Sequence, residues 1–128
     1  MHTAFITHPA CREHDAGPWH PEAPGRLAAI EDHLLATGID ALLRHFEAPE
    51  VTREQLLRVH DAEYLDGLDA RSPDHGLTHV DPDTAMNPHT LAAARRAAGA
   101  LVQATDLVLA GTVRNAFCCV RPPGHHAE

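Results

Sequence analysis

The period of apolar positions changes several times along this chain, and each change predicts an element. Thr3 to Thr7 is a β-prone run closed by His8-Pro9, which predicts a first strand, because the residue before a proline is pushed out of the helical region. Residues 9 to 25 hold four prolines and two glycines, enough punctuation to predict a long ordered loop of the kind that carries function. From Arg26 the positions Leu27, Ile30, Leu34 and Leu35 recur at helical spacing, with Gly38 as the stop. Thr52-Arg53-Glu54-Gln55 fits a capping box, flanked by Val51 and Leu56 as a hydrophobic staple, so a short helix is expected to start at Thr52. A second begins near Asp61, carries Tyr64, Leu65 and Leu68 on one side, and runs down at Ser72-Pro73.

Residues 72 to 87 read as loop. Asn87-Pro88 then supplies an N-cap and a proline for the first helical position. The longest predicted helix follows, with a stripe of Leu91, Ala94, Ala98, Leu101, Thr105 and Val108 until Gly111. Asn115 to Val120 is an apolar run without alternation, which predicts a central parallel strand covered on both faces. This order of strand, helices, long helix and buried strand predicts an α/β fold with a parallel sheet, in which ligands collect beyond the carboxyl ends of strands. No repeat, low-complexity tract or linker interrupts residues 1–128, so one domain is expected.

Composition narrows the functional classes. At 44% hydrophobic residues with scattered charge, the chain has the makings of a core, and 128 residues would bury roughly two-thirds of their unfolded surface. All ten basic residues are arginine, and eighteen acids bring the formal net charge to −8, which repels a phosphate backbone and argues against direct nucleic-acid binding. No apolar run approaches the ~20 residues needed to span a bilayer, and no leader pattern is visible, so a cytoplasmic protein is expected. Cys11, Cys118 and Cys119 form an odd, partly adjacent set that reads as reduced core thiols rather than a disulfide framework. The lysine-free, alanine- and arginine-rich composition suggests a GC-rich bacterial source. Twelve histidines raise the expectation of metal or proton chemistry.

The most specific string closes the chain: Arg121-Pro122-Pro123-Gly124-His125-His126-Ala127-Glu128. Two prolines stiffen the exit from the predicted strand, Gly124 permits close backbone approach, and two imidazoles follow. If the loop curls around a small site, one ring can act as general base and the other as donor to developing charge. A bare His-His pair is more often a solvent-exposed turn. His75 and His79 have the i, i+4 separation of helical zinc ligands, but Pro73 and Gly76 argue against a helix there.

That string, preceded by a buried strand, resembles the tandem-histidine motif of the histone deacetylase superfamily, in the branch holding class II enzymes, histone-deacetylase-like amidohydrolases and acetylpolyamine amidohydrolases. The resemblance extends upstream. His20-Pro21-Glu22-Ala23-Pro24-Gly25-Arg26-Leu27 is similar to the family's first active-site loop, Val59 to Leu65 to a helical segment after it, and Asn87 to Ala110 with Asn115-Ala116-Phe117 to its long helix and next strand.

The resemblance implies the amino-terminal portion of an arginase/deacetylase-like three-layer α/β/α fold. It also implies a zinc-dependent hydrolase acting on acetyl-lysine or acetylated polyamines, in which His126 is the general base and later acid and His125 its electrostatic partner. Arg26 matches an arginine at the foot of the channel, or else a helix-start arginine that packs only its stem. His20, Pro21 and Gly124 would shape the substrate pocket, and Asp83 lies in a rim loop where an acid can orient substrate or simply be solvated. His60 reads as a structural helix-end residue.

The family's zinc is held by two aspartates and a histidine downstream of the tandem histidines, and their absence here is where the chain departs from the pattern. The resemblance therefore implies zinc in the complete family enzyme but no tight zinc site and no activity in this chain alone, as expected of a domain truncated after the tandem-histidine loop. Its partner would then be the missing carboxy-terminal part. The alternative is a non-catalytic partial domain whose open sheet edge drives self-association or partner binding.

Overall fold

The computed structural model describes residues 2–127. Its centre is β1 (Thr3–Thr7), whose Ala4, Phe5 and Ile6 are all buried. Two parallel neighbours flank it, β2 (Leu43–Glu47) and β5 (Asn115–Cys118), in the order β2-β1-β5 and in a register that sets Phe5 opposite both His45 and Phe117. Because side chains alternate across a strand, β1 feeds two cores. Ala4 and Ile6 point into a cluster with Ala48, Ala100 and Val113, while Phe5 points the other way, against Cys11, Leu27 and Cys119. The first cluster is roofed by α4 (Thr90–Leu109) and the second by α1 (Gly25–Ala36), which makes three layers, helix on sheet on helix. The expected α/β architecture with a parallel sheet is what forms.

Two helices and a hairpin complete the chain. The capping box at Thr52 is present in both directions: Gln55 N–H donates to Thr52 Oγ1 at 3.1 Å and Thr52 N–H to Gln55 Oε1 at 3.0 Å, opening α2 (Arg53–Leu56). After α3 (Ala62–Arg71) comes an antiparallel pair, β3 (Thr78–Asp81) and β4 (Thr84–Met86), in the stretch read from sequence as loop. His79 lies on β3, so it and His75 do not share a helix. His60, between α2 and α3, stacks on Tyr64 with ring centroids 5.2 Å apart.

Four local readings are corrected. β2 was missed, because an edge strand reading Leu-Arg-His-Phe-Glu has too few apolar positions to show a period. α4 starts at Thr90 rather than Pro88: Asn87 turns its Oδ1 to the His89 N–H at 3.0 Å and to the Thr90 hydroxyl at 3.0 Å, stabilising the turn that precedes the helix. Its buried stripe is Ala93, Ala97 and Ala100, continued by Ala104 and Leu107, one position out of phase with the expected one, and Leu101 is 57% exposed. Alanine at so many positions makes the apolar phase degenerate, and the larger Leu and Val side chains bias the reading. β5 lies at an edge of the sheet among the described residues and is not covered on both faces, since Phe117 is 48% exposed.

Gly99 decides how closely α4 sits on the backbone. A Cβ there would stand 1.9 Å from the Pro49 carbonyl oxygen and 2.9 Å from Val51 N, whose N–H donates to the Arg95 carbonyl at 3.0 Å. Gly99→Ala gains up to about 1 kcal/mol in helix propensity but must displace backbone, so a net loss of about 1–3 kcal/mol is expected from overpacking. A lowered urea midpoint with unchanged slope is the measurement; a neutral result would mean that segment 49–51 shifts freely.

Candidate active site

The sheet delivers its strand ends to one place. Beyond β5 the chain stays tied to β1, with Cys119 N–H donating to the Ile6 carbonyl at 2.8 Å and the Thr7 hydroxyl to the Cys119 carbonyl at 2.7 Å. It then passes Arg121 and a cis peptide to Pro122 before turning into His125 and His126. Glu128 of the motif lies outside the described residues. The two imidazoles pack at 4.4 Å between centroids, tilted by 53°. They line one side of a groove of about 700 Å³ together with Pro122 and Pro123. The opposite wall is the loop after β1, from Ala16 through Trp19, His20 and Pro21 to Glu22, and the β3–β4 hairpin adds Leu77, Asp83 and Thr84. Of the residues expected at the site, His20, Pro21, Asp83, His125 and His126 thus converge, whereas Arg26 and Gly124 are not part of the lining.

Each wall is fastened by hydrogen bonds. The Glu22 N–H donates to His20 Nδ1 at 3.1 Å, which leaves the proton of the neutral ring on Nε2, where it is donated to the Asp83 carbonyl at 3.0 Å. His20 therefore ties the loop to the hairpin, and Asp83 takes part through its main chain. The carboxylate that faces the histidine pair is that of Asp81, with Oδ2 3.9 Å from His126 Nδ1. The Asp83 N–H, at 2.8 Å from Asp81 Oδ1, holds the Asp81 carboxyl below its ordinary range, with smaller help from Thr84 and His126. Arg26 donates to Glu22 Oε2 at 2.8 Å from a half-exposed position.

Behind the loop lies a buried polar network. Arg121 is 0% exposed. It donates to both Glu22 oxygens, Nε to Oε2 at 2.9 Å and an η-nitrogen to Oε1 at 2.8 Å, and its other η-nitrogen donates to the carbonyls of Cys11 and His14. Burial alone would raise the Glu22 carboxyl, but the hydrogen bonds and charges of Arg121 and Arg26 outweigh it and hold Glu22 below its ordinary value. His14, also buried, places Nδ1 2.7 Å from Thr90 Oγ1. The Thr90 hydroxyl proton is committed to Asn87 Oδ1, so His14 is the donor and its bare Nε2 faces Glu22 Oε1 at 3.8 Å. Burial first, and the neighbouring Arg121 charge second, push the His14 ring below its ordinary value against the pull of Glu22. Burial also raises the thiols of Cys11, Cys118 and Cys119, as fits core residues.

These shifts fix the sign of a pH dependence. Once the pH drops below the ordinary histidine value of 6.5, the unfolded His14 takes up a proton that the folded ring resists, so acid favours unfolding. Below the ordinary Glu value of 4.5, unfolded Glu22 is protonated while the folded carboxylate stays charged, and its stabilisation is lost as pH falls through the lowered folded value. Urea midpoints are expected to fall in both windows on acidification, and His14→Gln to remove the upper one. A midpoint flat from pH 7 to 5 in the wild type would contradict the buried neutral His14.

Sequence reasoning passed over Arg121, His14, Asp81 and the 95%-exposed Trp19 of the groove lining. Arginine and histidine are rarely fully buried, so nothing local marks Arg121 or His14 as interior; only the position of Arg121 at the head of the motif was a signal.

Among the described residues no group of three or more His, Cys, Asp or Glu side chains converges to hold a metal ion, so the residues here do not fit the zinc that the resemblance implies. Comparison with known proteins places the geometry in context. The family model for the histone deacetylase domain matches residues 20–128. The chain is 36% identical, over 97% of its length, to a histone deacetylase-like amidohydrolase of Pseudomonas aeruginosa, of which it spans 37%. It is 37% identical, over 84% of its length, to the polyamine deacetylase HDAC10 of Mus musculus, of which it spans 17%. The crystal structure of the HDA15 HD domain superposes on 98% of the chain with a TM-score of 0.90 at 35% identity, and the chain spans 36% of that structure.

Proposed function

Since the chain belongs to the histone deacetylase family, we propose that it forms part of a deacetylase that hydrolyses the amide of acetyl-lysine or of an acetylated polyamine, and that residues 1–128 alone do not turn over. The observation that carries this reading is the pairing of His125 and His126 on the strand exit, packed at 4.4 Å in a groove with Asp81 beside His126. His126 acts as general base and then returns the proton to the leaving amine, and His125 donates to the oxygen on which charge develops. His20 and Pro21 shape the facing wall, Asp83 stands at the rim, and Gly124 keeps the histidine loop compact, its carbonyl accepting from Ala127 N–H at 3.0 Å. Arg26 acts through Glu22, which it helps to charge.

The resemblance implies a zinc ion in the complete enzyme; the described residues do not provide its ligands. The substrate class rests on charge. The groove lining contains Asp83 but neither lysine nor arginine, Glu22 being already paired with Arg121 and Arg26, and the chain carries −8 overall, which suits an amide whose other end is cationic. That a relative is named a polyamine deacetylase supports the polyamine arm. The enzyme works in the cytoplasm of a bacterium in this reading, and among the described residues no helix is long and apolar enough to cross a membrane.

The test is hydrolysis of acetyl-lysine peptides and acetylpolyamines by the protein translated from the whole reading frame that contains this segment, beside residues 1–128 alone. Turnover by the first and none by the second is expected. A folded full-frame protein inert on every such substrate would overturn the assignment, and metal-dependent turnover by the 128-residue chain would overturn its inactivity. One observation favours a second, non-catalytic reading: among the described residues β5 pairs on one side only and exposes Phe117, an open edge suited to self-association. A clean monomer in analytical ultracentrifugation with a sharp cooperative melt would count against that reading.

A further inference from the structure

The geometry points to Arg121 and Glu22 as positioning residues: their two-bonded pair clamps the loop of residues 13–24 to the exit of β5 and so sets the spacing between the two walls of the groove. The inference rests on the reading of His125 and His126 as the reacting pair, and its basis is where the clamp's two halves lie in the chain. Arg121 stands four residues before His125 on a segment hydrogen-bonded to β1. Glu22 stands two residues after His20, lines the groove itself, and its N–H holds the His20 ring. The guanidinium also reaches the carbonyls of His14 and of Cys11 just before the loop, so one buried side chain gathers two points of the loop and the turn that leads into it.

A planar fork matches a carboxylate with two parallel bonds, which fixes orientation as well as distance, and a lysine ammonium has no equivalent. Arg26, reaching Glu22 from the solvent side, is less constrained and cannot replace a partner on the interior side. The groups facing the carboxylate are thus Arg121 from the β5 exit, Arg26 from α1, and His14 from the loop itself. Without the fork the loop would keep its local turns, the Gly17 N–H to Asp15 Oδ1 at 2.9 Å and the His20 N–H to the Gly17 carbonyl at 3.2 Å, but would lose its fixed seat against the histidine pair.

The experiment is NMR on the 15N-labelled chain, comparing wild type with Arg121→Lys and Glu22→Gln. The second variant keeps the shape of a partly exposed side chain and guards against loss of the fold. Amide exchange at Gly17, His20 and Glu22 is expected to speed up about tenfold in both variants, a loss of local protection of about 1.4 kcal/mol. The ring nitrogens of His125 and His126 are expected to shift, while those of His45 and His60, on other parts of the surface, do not. Exchange at Ala4 to Ile6 in β1 and Ala97 to Ala100 in α4 follows the accompanying loss of global stability and is measured beside it.

Two results would overturn the clamp. One is His125 and His126 ring signals that do not move, the mark of a merely structural ion pair. The other is Arg121→Lys matching wild type throughout, which would show that the fork is not required. None of these readouts needs turnover, so an inert full-frame protein would sink the deacetylase reading and leave the clamp standing, whereas unmoved rings in an active enzyme would sink the clamp alone.

Discussion

Arg121→Met is expected to cost the fold about 3–5 kcal/mol, the loss typical of a buried ion pair deprived of one partner. Methionine fills much of the arginine stem's volume, so packing changes little and the loss is electrostatic. Glu22 would keep only Arg26, and the carbonyls of Cys11 and His14 would face a buried thioether that donates nothing. For a chain of this size the melting temperature should fall by roughly 10–15 °C, a large share of the few kcal/mol by which domains are stable. Removing both charges in Arg121→Met/Glu22→Met should recover part of the loss, because no carboxylate is then left without its interior partner. Urea denaturation of the single and double variants decides it: a single-variant loss under about 1 kcal/mol would mean that the pair behaves as a solvent-screened surface bridge and that the interior placement of Arg121 is not what the fold depends on.

In the full-frame enzyme, His126→Ala is expected to lower kcat by about 10²–10⁴, the range for loss of a positioned general base, with KM for the acetylated substrate changed little. His125→Ala should cost less than His126→Ala if its part is to stabilise charge rather than to carry the proton. Asp81→Asn should leave most of kcat in place but shift the pH-rate profile, because the carboxylate stands 3.9 Å from His126 Nδ1 rather than in hydrogen-bond contact. Equal kcat losses for the two histidines would still fit a coupled pair, but a larger loss at His125 would reverse the assignment of base and electrostatic partner. The measurement is steady-state kinetics across pH with one acetyl-lysine peptide and one acetylpolyamine.

Part of this structure follows from local chemistry alone. The run Thr3 to Thr7 before a proline, the capping box at Thr52, and the glycine stop after α1 each act within a few residues, and each formed where expected. The tandem histidines after two prolines pointed to the family, because a family motif is a statement about neighbours in the chain. The alternation of β1 was also legible, yet its outcome, Ala4 and Ile6 to α4 and Phe5 to α1, needed both helices in place.

Only the tertiary structure decided the rest. The phase of α4 was set by which alanines met the sheet, and by the close approach at Gly99 to the Pro49 carbonyl; an alanine-rich helix has no phase of its own. β2 exists because β1 offers it a parallel partner, not because Leu-Arg-His-Phe-Glu insists on extension. Arg121, a residue type that belongs on surfaces, is interior because Glu22, 99 positions away in the chain, arrives with two oxygens at hydrogen-bond distance. A charge can be buried only where its partner is delivered by the fold, and that delivery has no local signature in the order of amino acids.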